Sequence, residues 1–383
     1  MTWQVPYFDL RLGDEEKQAV MEVLDSNWLT AGPRTEQFEK DFAGALDIEA
    51  TSAIAVTNCT AALHLAVVAL GIGPDDEVIC PSLTFVATAN AIRYAGATPV
   101  FADICSTSDW TIDPDDIERK ITPRTRAIIV VHYGGYACNM DRVMEIAERH
   151  GLKVIEDAAH ALVSEWYGRK LGTIGDAGCF SFFSNKNMTT GEGGMIVTPH
   201  PEVADRMRVM RSHGMTKSSY DRFKSHVFGY DVTELGFNFR IDEIRSSLGI
   251  VQLKALPEKN ILRKKVIARY RKLLQEHVPD VTSPFGDHPG KSAYHVFPVL
   301  LPKDGPGRDS VMKSMEADGI QTSIHYHPIH LFQAFEGYSA NVPITADIAP
   351  RIVSLPLYPH LPDEAAASVI KALKTGLNIK NRN

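Results

Sequence analysis

Several things are scarce in this chain of 383 residues. There is no surplus of basic charge: 40 Lys and Arg stand against 47 Asp and Glu, a formal net charge of −7, and no dense Lys/Arg block occurs. A protein that grips a phosphate backbone carries a basic surplus or stripe, so the balance argues against nucleic acid as a partner. Cysteine is also sparse. The five, Cys59, Cys80, Cys105, Cys138 and Cys179, are odd in number, widely spaced and set in apolar or motif positions. That pattern fits reduced thiols in a reducing compartment, and neither a disulfide frame nor a zinc cluster. No long hydrophobic run appears. The most apolar region, 53–70, is interrupted by Thr57, Asn58, Thr60 and His64, as expected of a strand feeding a helix and not of a membrane span. The opening MTWQVPYFDL lacks the basic end and apolar core of a secretory signal, and the expectation is a cytoplasmic protein with no membrane partner.

What is present is ordinary globular composition, 44% hydrophobic and 23% charged, in a chain long enough for two or three lobes. Residues 14–26 and 34–46 read as amphipathic helices joined by a loop ending in Gly32-Pro33. From Ala53 onward, short apolar runs at 53–56, 77–80, 98–101, 127–131 and 154–155 alternate with helical patterns near 60–70, 84–94, 114–119 and 139–149. Such alternation predicts an α/β fold, a mostly parallel sheet with helices on both faces, whose ligands gather at the carboxyl ends of the strands. A strand at 179–183, another at 195–198 and a helix at 201–212 follow, then an irregular polar stretch to Asp231 and a helix at 241–256. Pro257 and a basic helix at 259–275 mark a change of lobe. A large domain, 1–256, and a smaller C-terminal α/β domain, 257–383, are therefore expected, the latter with strands near 294–300 and 321–324 and helices near 308–317 and 363–375.

The chemistry centres on Lys186. It lies between the aromatic run Cys179-Phe180-Ser181-Phe182-Phe183 and a turn rich in glycine, Gly191, Gly193 and Gly194. A lysine in such a connection is either a solvated loop cation or an amine held in a cleft, where desolvation makes it a nucleophile toward aldehydes. Two other stretches bear on the choice. Glu156-Asp157-Ala158-Ala159-His160 ends one apolar run, and Thr57-Asn58-Cys59-Thr60-Ala61-Ala62 joins another to a helix. A pyridoxal phosphate enzyme needs such parts: a lysine for the imine, a carboxylate to keep the pyridine nitrogen protonated, and a helix start to hold the phosphate. Each has a plainer reading, Asp157 as a turn residue, His160 as a satisfied structural histidine and Thr60 as an N-cap.

Taken together, these residues resemble the DegT/DnrJ/EryC1/StrS sugar aminotransferases of fold-type I, over nearly the whole chain from Ser26-Asn27-Trp28-Leu29-Thr30 to Leu355-Pro356-Leu357-Tyr358-Pro359. The resemblance implies pyridoxal 5′-phosphate, with the pyridoxamine form during turnover, and Lys186 as the catalytic residue. It implies Asp157 at the pyridine nitrogen, His160 on the O3′ side, and Cys59, Thr60, Ala61 and Ser181 around the phosphate. Phe85, in Pro81-Ser82-Leu83-Thr84-Phe85, takes the family's ring-stacking position, against a plain reading as core filling. Asn238, in Gly236-Phe237-Asn238-Phe239-Arg240, is similar to the asparagine that reaches the neighbouring subunit's phosphate, which implies a homodimer with shared active sites. Trp28, Thr30, Tyr133, His325, Tyr326 and His330 would line the sugar pocket. His325, His327 and His330 also invite a metal reading, which the resemblance sets aside, so no metal is expected.

The substrates implied are L-glutamate and a nucleotide sugar. Lys186 followed by Thr189-Thr190-Gly191-Glu192-Gly193-Gly194 is closer to the form associated with 4-keto-6-deoxy sugars, as in perosamine-synthase-like enzymes. A 3-keto sugar or keto-cyclitol aminotransferase would share every cofactor residue. A sugar dehydratase replaces the lysine with histidine, and a ligand-sensing relative would lack the lysine or the carboxylate.

Overall fold

The computed structural model describes residues 3–217, 220, 229–338 and 340–378. Two helices open it, α1 (Asp14–Ser26) and α2 (Pro33–Ala45). The Gly13 N–H starts α1 by donating to Glu16 Oε2 at 2.8 Å, and Asn27 ends it in the left-handed region at φ 57°. Pro33 suits the first turn of α2, having no N–H to satisfy and a preset φ. The remaining amides there are met from far along the chain. The buried carboxylate of Glu243 accepts the N–H groups of Gly32, Arg34 and Thr35 at 2.8, 2.7 and 2.9 Å and the Thr35 hydroxyl at 2.7 Å.

Strands and helices then alternate as β1 (Ala53–Val56), α3 (Cys59–Ala69), β2 (Glu77–Pro81), α4 (Ala87–Tyr94), β3 (Thr98–Ala102), α5 (Pro114–Arg119), β4 (Thr125–Val131), α6 (Met140–His150) and β5 (Lys153–Asp157). A short hairpin, β6 (Glu165–Trp166) and β7 (Arg169–Lys170), precedes β8 (Ala177–Ser181), β9 (Gly194–Val197) and α7 (Pro201–Arg211). Seven strands form one sheet in the order β1-β9-β8-β5-β4-β2-β3. Only β9 runs against the others. One face packs on α2 and α6 through Phe38, Phe42 and Ile146, and the other on α3, α4 and α7 through Leu65, Ile92 and Met207. Buried on both faces, the central strands carry continuous apolar stretches, as in Ile128–Val131. The α/β expectation holds. Six strands deliver their carboxyl ends to one edge, where β9 begins.

The chain differs from expectation after this sheet. One helix, α8 (Glu243–His277), runs straight through Pro257, where a break was expected. An interior proline costs about 3 kcal/mol, but α8 buries Ile250, Leu253 and Leu256 in the large core and Val266, Ile267, Tyr270 and Leu274 in a second one, so packing on both sides outweighs the lost bond. The expected division at residue 256 thus falls inside a helix. Val5 also packs in the second core and pairs with Gly319 and Gln321, so the chain start sits with the C-terminal lobe. There, β10 (Phe297–Leu300) pairs with β11 (Ile352–Leu355), flanked by helices Arg308–Ala317 and Asp363–Gly376. Residues 321–324 form no strand, only a single bridge from Ser323 to Ser354, because Gln321 is already engaged by Val5 and Tyr7. The strand expected at 179–183 ends at Ser181, since Phe182 and Phe183 begin the turn to Lys186. The irregular stretch before Asp231 lies partly outside the described residues. Among the described residues, no helix is long and apolar enough to cross a membrane.

Candidate active site

A cavity of about 540 Å³ opens at the carboxyl edge of the sheet. Lys186, Asp157, His160, Cys59, Thr60, Phe85, Ser181, His325 and Tyr326, all singled out in the sequence, line it. Lys186 reaches it because the chain reverses after β8. The Lys186 N–H donates to the Phe183 carbonyl at 2.9 Å, Thr189 Oγ1 donates to the Phe182 carbonyl at 3.1 Å, and Gly191 takes φ 78° before β9 returns. The amine is part-buried, with Nζ 3.4 Å from His295 Nε2. Burial pulls its pKa down to about 8, against the opposing pull of Cys59 and Asp157.

Asp157 ends β5 with its carboxylate facing the same cavity. It accepts the Thr88 hydroxyl at 2.8 Å and the Ala159 N–H at 3.2 Å. Burial pushes its pKa up, and those two hydrogen bonds and Lys186 restrain the rise. Strand alternation turns the adjacent Glu156 to the other face. There it accepts the N–H groups of Gly172, Ile174 and Gly175, each at 2.7 Å, and meets His132 Nε2 at 2.9 Å. The two neighbouring carboxylates therefore divide the work: Glu156 ties down a loop and Asp157 faces the cavity.

The start of α3 forms a further wall. Its N-cap is Asn58, not Thr60, and Asn58 Oδ1 accepts the Ala61 N–H at 2.8 Å. The Ala61 amide is thus occupied by the cap, and Ala61 does not line the cavity. The Cys59 and Thr60 amides remain, with the positive end of the helix dipole behind them. β9 can pass this turn only because residue 194 is glycine: a Cβ there would lie 2.6 Å from the Asn58 carbonyl carbon.

His160 Nδ1 accepts the Gly134 N–H at 3.2 Å, so in the neutral ring the proton sits on Nε2, 2.8 Å from the Tyr326 hydroxyl. Burial, with Lys186 and His325 nearby, pushes its pKa well below the usual value and keeps the ring neutral. Phe85 is 57% exposed, its ring 6.1 Å from that of Tyr326. Burial likewise drives His325 down to about 3, and its Nδ1 lies 3.0 Å from Ser354 Oγ.

The other sequence candidates stand back from the cavity. Tyr133 supports it from behind, its hydroxyl donating to the His325 carbonyl and its ring 6.2 Å from Tyr326. His330 is held by Ser82 Oγ at 2.6 Å. Trp28 and Thr30 lie on the loop before α2, where Trp28 packs on Tyr220. Asn238 is exposed and bridges Ser212. His327 packs on Phe332, and among the described residues no cluster of His, Cys, Asp or Glu is arranged to hold a metal. Three residues went unnoticed in the sequence. Thr88 braces Asp157, Asn185 Oδ1 is buried at the cavity without a hydrogen-bond partner, and His295 arrives from the C-terminal lobe to meet Lys186. Asn185 is adjacent in sequence to Lys186 and Thr88 lies three residues past Phe85, whereas nothing local marks His295.

The model of the DegT/DnrJ/EryC1/StrS aminotransferase family matches residues 11–374. The chain belongs to that family. Spore coat polysaccharide biosynthesis protein SpsC of Bacillus subtilis is 41% identical over 378 residues, 97% of this chain and 96% of that protein. GDP-perosamine synthase of Caulobacter vibrioides is 40% identical over 330 residues, 85% of each chain. The solved aminotransferase TlmJ of Streptoalloteichus hindustanus superposes with a TM-score of 0.90 at 35% identity, covering 98% of this chain and 99% of that one. The enzyme is a transaminase that uses pyridoxal phosphate. The cavity suits that cofactor: an amine of lowered pKa, a buried carboxylate, two helix-start amides and an unpartnered acceptor on Asn185 face one space.

Proposed function

We propose that this aminotransferase transfers the amino group of L-glutamate to the ketone of a 4-keto-6-deoxy nucleotide sugar, acting as a homodimer. The observation that carries the reading is Lys186 facing the same cavity as Asp157 within the Thr189-Thr190-Gly191-Glu192-Gly193-Gly194 form of the motif, alongside 40% identity to a GDP-perosamine synthase. Pyridoxal phosphate supplies an aldehyde to carry the amino group and a ring that accepts electrons from the donor's α-carbon. Lys186 Nζ would bind that aldehyde, and as a free amine of lowered pKa it would serve as the general base for the donor's α-proton. The Asp157 carboxylate would pair with the protonated pyridine nitrogen, a pairing that its buried setting strengthens. The Cys59 and Thr60 amides and Ser181 would hold the phosphate, neutral His160 would lie on the O3′ side, and Phe85 would offer an open ring face to the pyridine. Tyr326 and His325 border the sugar. Asn238, which does not line its own cavity, serves the partner's site.

The test is to load the purified protein with the cofactor, add L-glutamate, and supply a panel of 4-keto and 3-keto nucleotide sugars. Glutamate should shift the absorbance from the yellow form to the pyridoxamine form, and NMR should place the new amine at C4. Amination at C3 alone, or no spectral change with glutamate, overturns the corresponding part of the reading.

A further inference from the structure

His295 is the one side chain from the C-terminal lobe in hydrogen-bond reach of Lys186 Nζ among the described residues, at 3.4 Å. Its other nitrogen, Nδ1, lies 3.0 Å from Asn187 Oδ1. The roles at that contact can be assigned. Asn187 Nδ2 donates to the Ala293 carbonyl at 2.6 Å and to Asn260 Oδ1 at 2.8 Å, which engages both amide hydrogens and orients Oδ1 as the acceptor. His295 Nδ1 therefore carries the proton, and in the neutral ring Nε2 presents its lone pair to Lys186. Two consecutive residues, Lys186 and Asn187, thus grip opposite ends of one imidazole.

We infer that His295, with its tautomer set by Asn187, is a positioning residue: it accepts a hydrogen bond from Lys186 Nζ and so directs the free amine into the cavity. This rests on the reading of Lys186 as the imine-forming lysine. An amine turns freely about its Cε–Nζ bond, and a fixed acceptor for one N–H restricts the directions open to the lone pair. His295 itself takes no proton. Burial and the surrounding groups, Lys186, His160 with its ring 4.4 Å away, Arg263 and His325, all disfavour an imidazolium, and no carboxylate hydrogen-bonds to the ring. The device is an acceptor, not a relay.

The test uses full-length protein stripped of cofactor, with His295→Phe and His295→Gln, the latter restoring an acceptor. Recombination with pyridoxal phosphate is followed at the imine absorbance across pH, and borohydride trapping with peptide mass identifies the lysine captured. An acceptor holds the ammonium more tightly than the amine. His295→Phe should therefore lower the apparent pKa of capture by about half a unit to one unit, and reduce kcat about tenfold with the glutamate KM little changed. His295→Gln should recover much of both. A His295→Phe enzyme with wild-type pKa and kcat overturns the inference. So does equal behaviour of folded Phe and Gln variants, and if the Phe variant does not fold, a Gln variant that loses the wild-type pKa does the same. Trapping at a residue other than Lys186 defeats the underlying reading as well, and the peptide mass tells that failure apart.

Discussion

Thr88 Oγ1 donates to Asp157 Oδ2 at 2.8 Å, from α4 to the end of β5, one of two protein hydrogen bonds holding down the pKa of a carboxylate that burial raises. Thr88→Val keeps the shape and removes the bond. The Asp157 pKa should then rise further, because one of the hydrogen bonds that favours its ionised form is gone. Loss of one charge-assisted bond, about 1.5–3 kcal/mol, corresponds to roughly a tenfold or greater fall in kcat, with the acid limb of the kcat/KM profile displaced to higher pH. Thr88→Ser should restore both. The profiles of the three enzymes measure this, and an unmoved acid limb in Thr88→Val would show that the hydroxyl does not hold the carboxylate.

Lys186 should make the cofactor-free chain less stable than it would be with a neutral side chain there. Its folded pKa of about 8 lies below the ordinary 10.5, so the unfolded chain binds the proton more tightly. Stability therefore rises with pH between about 8 and 10.5, and the penalty is fully present below that window. Converted at 1.36 kcal/mol per unit, it is at most about 3 kcal/mol. Lys186→Met without cofactor should unfold at higher urea than wild type at pH 7, with the gap closing as pH approaches 10.5, while transaminase activity is lost. Equal stability at pH 7 would mean the amine is hydrated in solution.

The parts legible in the sequence were those whose placement depends on local pattern. Asp157 stands at the end of an apolar run and Lys186 in a glycine-rich reversal, and α/β alternation is enough to bring both to one edge of the sheet. Tyr326 and His325 came from the resemblance alone, since their approach is made by a different lobe. His295 arrives in the same way with no motif to announce it. At the start of α3, Asn58 and Thr60 are both able to cap and stand two residues apart, so local pattern alone does not choose between them; Asn58 caps the helix and takes the Ala61 amide. Pro257 misled because its local cost is set against side-chain burial that belongs to two cores at once.

Glu243 links the start of α8 to the start of α2, and its carboxylate accepts from four donors there, the N–H groups of Gly32, Arg34 and Thr35 and the Thr35 hydroxyl. Glu243→Ala leaves those amides unmet in a buried setting. The expected cost is roughly 2–4 kcal/mol, more than a surface cap because the site is dry. Urea unfolding of the cofactor-free chain should show the midpoint fall. The Trp28–Pro33 loop that Glu243 anchors should become more susceptible to limited proteolysis. A midpoint within error of wild type would mean that water replaces the carboxylate without penalty.

Gly194 opens β9 against the first turn of α3. A methyl group at 194 would sit 2.6 Å from the Asn58 carbonyl carbon, 2.7 Å from its oxygen and 2.8 Å from the Cys59 nitrogen, all of them backbone atoms that cannot rotate away. Gly194→Ala must therefore displace either the strand, which is paired on both sides, or the helix start, which is held mainly by the Asn58 cap. The helix start is the weaker of the two. Its displacement moves the Cys59 and Thr60 amides while leaving Lys186 and Asp157 in place. The variant should bind pyridoxal phosphate about tenfold more weakly, a change of about 1.4 kcal/mol, and should still form the imine at Lys186 once saturated. Free inorganic phosphate should compete less well with the cofactor in the variant than in wild type, if the Cys59 and Thr60 amides bind the phosphate as proposed. Absorbance titration of the stripped protein, with and without phosphate, measures both quantities. Wild-type affinity together with undiminished phosphate competition would mean that the phosphate is held elsewhere in the cavity.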